Sequence, residues 1–188
     1  MSLFVSRREK RLWLLALVIL TAIYSMLGLA RTLAGFLRER DLLTNFFWLA
    51  IWLVLATIVL HGLRTKAGKF EIAVWIGIIV VYLLVFLRMA VPEERSHMIE
   101  YGVLAVFIHE ALKERFSMSG RKLKPALIAI LITSLFGIID ECIQLFIPVR
   151  VFDPIDIGFN TLAGLMAIIS SVALSWARSK IDSTMGKK

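Results

Sequence analysis

The sequence predicts an all-α protein, a polytopic bundle of about six transmembrane helices, or five if the fourth does not cross. Three observations carry that expectation. Of 188 residues, 59% are hydrophobic and only 19% charged, against the ~45–50% apolar content usual for soluble domains. The apolar residues fall into runs approaching twenty, the length a helix rising ~1.5 Å per residue needs to cross ~30 Å of hydrocarbon. The basic residues, which give a net charge of +8, collect at the ends of those runs, where membrane topology places positive charge. Nucleic acid would call for one basic patch or stripe, so no nucleic-acid partner is expected.

Six segments follow in order. Residues 12–30 come after Arg7, Arg8, Lys10 and Arg11. They read as a retained anchor, because the run is longer than a signal core and no small-x-small site follows. Residues 31–41 mix Leu33, Phe36 and Leu37 with Arg38, Glu39 and Arg40, which suits either an interfacial amphipathic helix or a solvated loop. Residues 45–63, 72–91, 125–147 and 155–177 are further spans. Residues 97–112 are short and carry His97, Glu100, His109 and Glu110. Charge decides that this segment crosses. With six spans and the N-terminus inside, 16 of the 22 Lys and Arg lie inside and 5 outside, with Arg88 in a span. Leaving residues 97–112 on one side weakens that bias. Both termini are therefore expected in the cytoplasm, on a single domain spanning residues 1–188 with no linker or repeat.

Polar residues that hydrocarbon tolerates poorly gather in two stretches. One opens the fourth span, from Glu93 through Arg95 and His97 to Glu100 and Tyr101. The other runs from Asp140, Glu141 and Gln144 through Arg150 to Asp156 and Asn160. In the six-span topology both lie at the extracytoplasmic side. His97 with Glu100 and Tyr101, Asp140 or Glu141 with Gln144, and Asp156 with Asn160 are i,i+3 or i,i+4 pairs, so each set shares a helical face. A charged side chain at the bilayer centre costs ~2.5–3.5 kcal/mol on insertion scales, so such faces turn toward the bundle interior or a wet cavity. Gly158, Ala163, Gly164 and Ala167 add a small-residue surface for close helix packing.

These residues carry a family resemblance. H-x-x-E-Y-G-x-L at 97–104, D-E-x-x-Q-x-F-x-P-x-R at 140–150, then Asp156, Asn160, Thr161 and Gly164 resemble the VanZ-like family of small bacterial membrane proteins. The likeness covers about residues 93–164. Val149, Met98 and Asp153-Pro154 depart from the family pattern, and Asp153 is expected to face water. The resemblance implies the bacterial cytoplasmic membrane and a link to resistance to lipophilic glycopeptides such as teicoplanin.

Three readings of the polar set stand side by side. In the first, His97, Glu100, Tyr101, Asp140, Glu141, Gln144, Arg150, Asp156 and Asn160 bind or transport an amphipathic ligand, a lipid headgroup or a lipoglycopeptide. In the second, they form an enzyme acting on an envelope lipid or lipid-linked precursor. His97, Glu100, Asp140 and Glu141 are then the candidate acid and base groups, and Asp140, Glu141 and Asp156 the candidate oxygen ligands for a divalent metal. H-x-x-E is not the H-E-x-x-H zinc motif, and no nucleophile elbow is present. In the third, the polar residues only fasten helices together. Among smaller features, Cys142 is expected to pack as a small hydrophobe, His61 to be interfacial, and His109 with Glu110 to be a partner pair. Arg88 is expected to snorkel outward or to reach the polar set.

Overall fold

The computed structural model describes residues 3–40, 42, 45, 49, 52, 68–89, 92–119, 125–147 and 152–185, with the backbone alone at 28–35, 37–39, 92–96, 118–119 and 181–185. The described residues contain five helices and no strand: α1 (Arg7–Glu39), α2 (Lys69–Arg88), α3 (Pro92–Ser119), α4 (Pro125–Gln144) and α5 (Pro154–Met185). Among the described residues four stretches are long and apolar enough to cross a membrane: Arg7–Leu27, Lys69–Arg88, Pro125–Gln144 and Pro154–Lys180. The expected span at 45–63, like His61 and Arg150, lies almost wholly outside the described residues. Residues 31–39 continue α1 without a break, which answers the helix-or-loop alternative in favour of helix. At its end the Arg40 guanidinium sits 4.2 Å from the centre of the Phe36 ring, an i,i+4 contact.

The helix starts follow local chemistry. Three of the four prolines open helices, Pro92, Pro125 and Pro154. The first helical position suits proline, because the N–H it lacks has no intrahelical partner there anyway. Asp153 caps α5: its Oδ1 accepts the Ile155 N–H at 2.8 Å. Asp153 is therefore half-buried and structural, not the freely solvated residue its departure from the family pattern suggested. Ser6 caps α1, its Oγ accepting the Glu9 N–H at 3.0 Å.

The chain forms two compact units, Met1–Ser25 with Leu83–Val172, and Met26–Tyr82 with Ala173–Lys188. In the first, α3 is the inner helix. Met98, Tyr101, Leu104, Ala105, Ile108 and Ala111 are all but inaccessible, and their three-to-four-residue spacing lines one broad face. This burial explains a long helix in a segment too charged to count as a span on hydropathy alone. α3 packs against α4.

α4 is built inside out. Its buried stripe is Ala129, Thr133, Gly137, Asp140, Glu141 and Gln144, small or polar throughout. The opposite stripe, Leu127, Leu131, Leu135 and Ile138, is exposed. A soluble helix would turn the leucines inward; one in lipid gains nothing by that and buries its polar atoms instead. The small stripe brings α5 close. A Cβ on Gly137 would stand 2.8 Å from Asn160 Cβ, and one on Gly164 would stand 3.1 Å from Thr133 Cγ2. Each helix thus offers one glycine to the other's polar residue, one turn apart. Cys142, expected to pack, is exposed instead, because it lies off this stripe.

In the second unit, α2 carries Ile72, Ile76, Val80 and Val81 exposed. Phe70 and Trp176 meet edge to face with ring centres 5.5 Å apart, and Lys180 Nζ lies 5.2 Å from each ring centre. Beside them Arg178 pairs with the buried Glu71 at 3.5 Å.

Candidate functional site

The site is built where α3 begins, α4 ends and α5 begins, all within the first unit. Asp140 and Glu141, consecutive on α4, are both fully buried. Consecutive helical residues diverge by about 100°, so the two carboxylates address different neighbours.

Asp140 belongs with the tyrosines. The Tyr101 hydroxyl donates to the Phe136 carbonyl at 3.5 Å, one turn before Asp140, and the Asp140 side chain is its other polar neighbour. Tyr24, from α1, donates to the same carbonyl at 3.0 Å. His97 stands one turn before Tyr101 on α3, its ring centre 6.0 Å from the tyrosine's, and is buried. Glu100 is half-buried and adds its charge to the surroundings of Tyr101.

Glu141 governs the turn into α5. Its Oε1 accepts from Gln144 Nε2 at 2.6 Å, the i,i+3 pair expected from spacing. Its Oε2 accepts the backbone N–H of Asp153 at 3.1 Å. One buried carboxylate thereby holds the last turn of α4 and the cap of α5 together, using neutral donors. Asp140, Asp153 and Asp156 are its charged neighbours.

The structure thus brings His97, Tyr101 and Asp140 together, and Glu141, Gln144 and Asp156 beside them. Asn160 is fully buried but sits one turn deeper, against Gly137. Among the described residues neither its amide nitrogen nor its oxygen has a hydrogen-bond partner, and neither does Thr133 Oγ1. Such atoms forgo ~1–3 kcal/mol each unless a partner reaches them. The candidate metal ligands Asp140, Glu141 and Asp156 are neighbours in charge but not in coordination. Among the described residues no group of three or more His, Cys, Asp or Glu is arranged to hold a metal ion.

Sequence reasoning missed Tyr24, because a single tyrosine in an apolar run reads as part of an aromatic belt. It also missed the far end of α3. There Glu9 is fully buried, and its Oε1 accepts from Arg115 Nε at 2.6 Å. Glu110 pairs with Lys113 at 2.6 Å and with Arg8 at 3.4 Å, and Glu114 with Arg8 at 3.4 Å. Glu110 thus engages Arg8 and Lys113 and is also an electrostatic neighbour of His109, the partner expected from the sequence. The Ser-x-x-Glu of Ser6 to Glu9, a capping-box pattern, was the available signal.

No family model matches the chain, and neither a curated protein nor a solved structure matches it.

Proposed function

We propose that this chain is a VanZ-like integral membrane protein of the bacterial cytoplasmic membrane, with six spans and both termini cytoplasmic. Its polar site on the extracytoplasmic side binds or transports an amphipathic ligand, a lipid headgroup or a lipoglycopeptide such as teicoplanin. The observation that carries this reading is the complete burial of Asp140 and Glu141 at the end of a helix whose exposed face is aliphatic. Two carboxylates are an expensive way to join helices in lipid, where interhelical hydrogen bonds average only ~0.6 kcal/mol. A polar site that receives an amphipathic ligand would give that expense a use. Tyr101, Gln144 and the Asn160 amide supply hydroxyl and amide groups of the kind that orient a polar headgroup, while the leucine face of α4 suits its hydrocarbon.

Substitutions that keep shape and remove charge test the reading. Asp140→Asn, Glu141→Gln and Asp156→Asn should each abolish teicoplanin tolerance, or lipoglycopeptide binding by the purified protein, at near-normal abundance of folded protein. Full tolerance in the Asp140 and Asp156 variants would reduce the cluster to helix glue. Orientation is tested separately. After Cys142→Ser, an impermeant thiol reagent on intact cells should label Val151→Cys and spare Arg121→Cys; the opposite pattern inverts the topology.

A further inference from the structure

The start of the chain holds a second feature, separate from the polar site and independent of the reading above. Ahead of α1, residues 3–6 form a hook fastened by four hydrogen bonds. Arg115 Nη2 donates to the Leu3 carbonyl at 2.6 Å, and the Val5 N–H to Glu9 Oε2 at 2.7 Å. Ser6 Oγ donates to Glu114 Oε1 at 2.8 Å and accepts the Glu9 N–H at 3.0 Å. The hook is therefore pre-organised, with the fully buried Glu9 carboxylate at its centre.

The same bonds sort the cations. Arg8, Lys113 and Arg115 are taken up by Glu9, Glu110 and Glu114. Arg7, Lys10 and Arg11 are all exposed, and among the described residues none of them forms an ion pair. At i, i+3 and i+4 they share one face of α1, next to the helix's positive N-terminal end. An open cavity of about 360 Å³ adjoins them, lined by Leu3, Phe4, Val5, Ser6, Arg7 and Lys10. Its rim is apolar and accessible: Leu3 is 78% exposed and Val5 47%.

We propose that this hook and the Arg7, Lys10 and Arg11 face bind the headgroup of an anionic phospholipid. The three cations meet the phosphate, and Leu3 and Val5 enter the glycerol and acyl boundary, as amphipathic elements do at a bilayer surface. Charge complementarity selects an anionic headgroup over a zwitterionic one. A soluble anion would use the cations but leave the two aliphatic side chains in water, and the three cations lie in the opening turns of Arg7–Leu27, a helical stretch apolar enough to cross the membrane.

The full-length protein in detergent, offered equal phosphatidylglycerol and phosphatidylcholine, is analysed by native mass spectrometry for retained lipid. Wild type should keep phosphatidylglycerol preferentially. A basic residue beside an acidic membrane surface is worth about fivefold in binding. Combined Arg7→Gln, Lys10→Gln and Arg11→Gln should therefore lower retention by about that factor per cation, and Lys10→Gln alone by one such factor if the triple variant folds poorly. Arg88→Gln, which removes an exposed cation at the end of α2, should leave retention unchanged. An equal loss in Arg88→Gln, or no preference in wild type, would overturn the proposal. Release of the lipid by millimolar inorganic phosphate would overturn it too, by showing a site for a free anion.

Discussion

The two ends of α3 handle buried carboxylate in opposite ways. At the end bearing Lys113 and Arg115, Glu9 is matched by a guanidinium 2.6 Å away, and Glu110 and Glu114 by Lys113 and Arg8. At the end bearing His97 and Tyr101, Glu141 is held by an amide and a backbone N–H. The first arrangement cancels charge and fastens the N-terminal hook to the bundle. The second holds a carboxyl group within a shell of neutral donors, with Asp140 beside two tyrosines. Equal burial is thus met in two ways: one carboxylate is paired with a cation, and the other is held by neutral donors, which under the proposed function is the one that serves a ligand.

The comparison can be broken from either side. The largest stability loss is expected for Arg115→Leu, which leaves Glu9 buried without its cation. Removing one member of a buried pair costs ~3–5 kcal/mol, and the partial exposure of Arg115 places this change toward the lower end. Chemical unfolding in detergent micelles measures it; an unchanged midpoint would mean the Glu9–Arg115 pair contributes nothing. Next comes Gly137→Ala, whose new methyl would meet Asn160 Cβ at 2.8 Å. Overpacking of this kind costs ~1–3 kcal/mol, and Asn160→Gly in the same chain should recover part of it, because the atom the new methyl meets first is the Cβ that glycine lacks. The smallest effects concern the α5 cap. Asp153→Ala should cost about 1 kcal/mol, and Asp153→Asn almost nothing, because asparagine caps as well as aspartate. A large loss in the Asn variant would show that the charge itself matters there.

How much of this was legible follows from what each signal depends on. Helical character and the polar faces came from local spacing, so the Glu141 to Gln144 bond and the burial of Tyr101 and Asn160 agree with the i,i+3 and i,i+4 reading. The Glu9 to Arg115 pair joins residues 106 apart, and no periodicity encodes a partner at that distance. Tyr24 is a similar case, reaching the Phe136 carbonyl from 112 residues away. Asp153 was legible but read through the wrong signal: as a departure from a motif it looked solvated, whereas Asp before Pro at a helix start marks a cap. Cys142 shows the limit of a rule drawn from soluble proteins, since the exposed face of an apolar membrane helix is a comfortable place for a thiol.

The division between fastening and site is tested most directly by making one chemical change at both ends, Glu9→Gln and Glu141→Gln, and measuring folded fraction and teicoplanin tolerance together. At position 141 a glutamine oxygen still accepts the Asp153 N–H, and Gln144 can turn its own oxygen toward the new amide, so the bonds survive while the charge goes. At position 9 the amide N–H groups face the Arg115 guanidinium, donor against donor, and the pair is lost. The account predicts that Glu141→Gln folds normally and loses tolerance, while Glu9→Gln is destabilised and keeps its tolerance per folded molecule. Tolerance retained in Glu141→Gln, or lost per folded molecule equally in both variants, would contradict it.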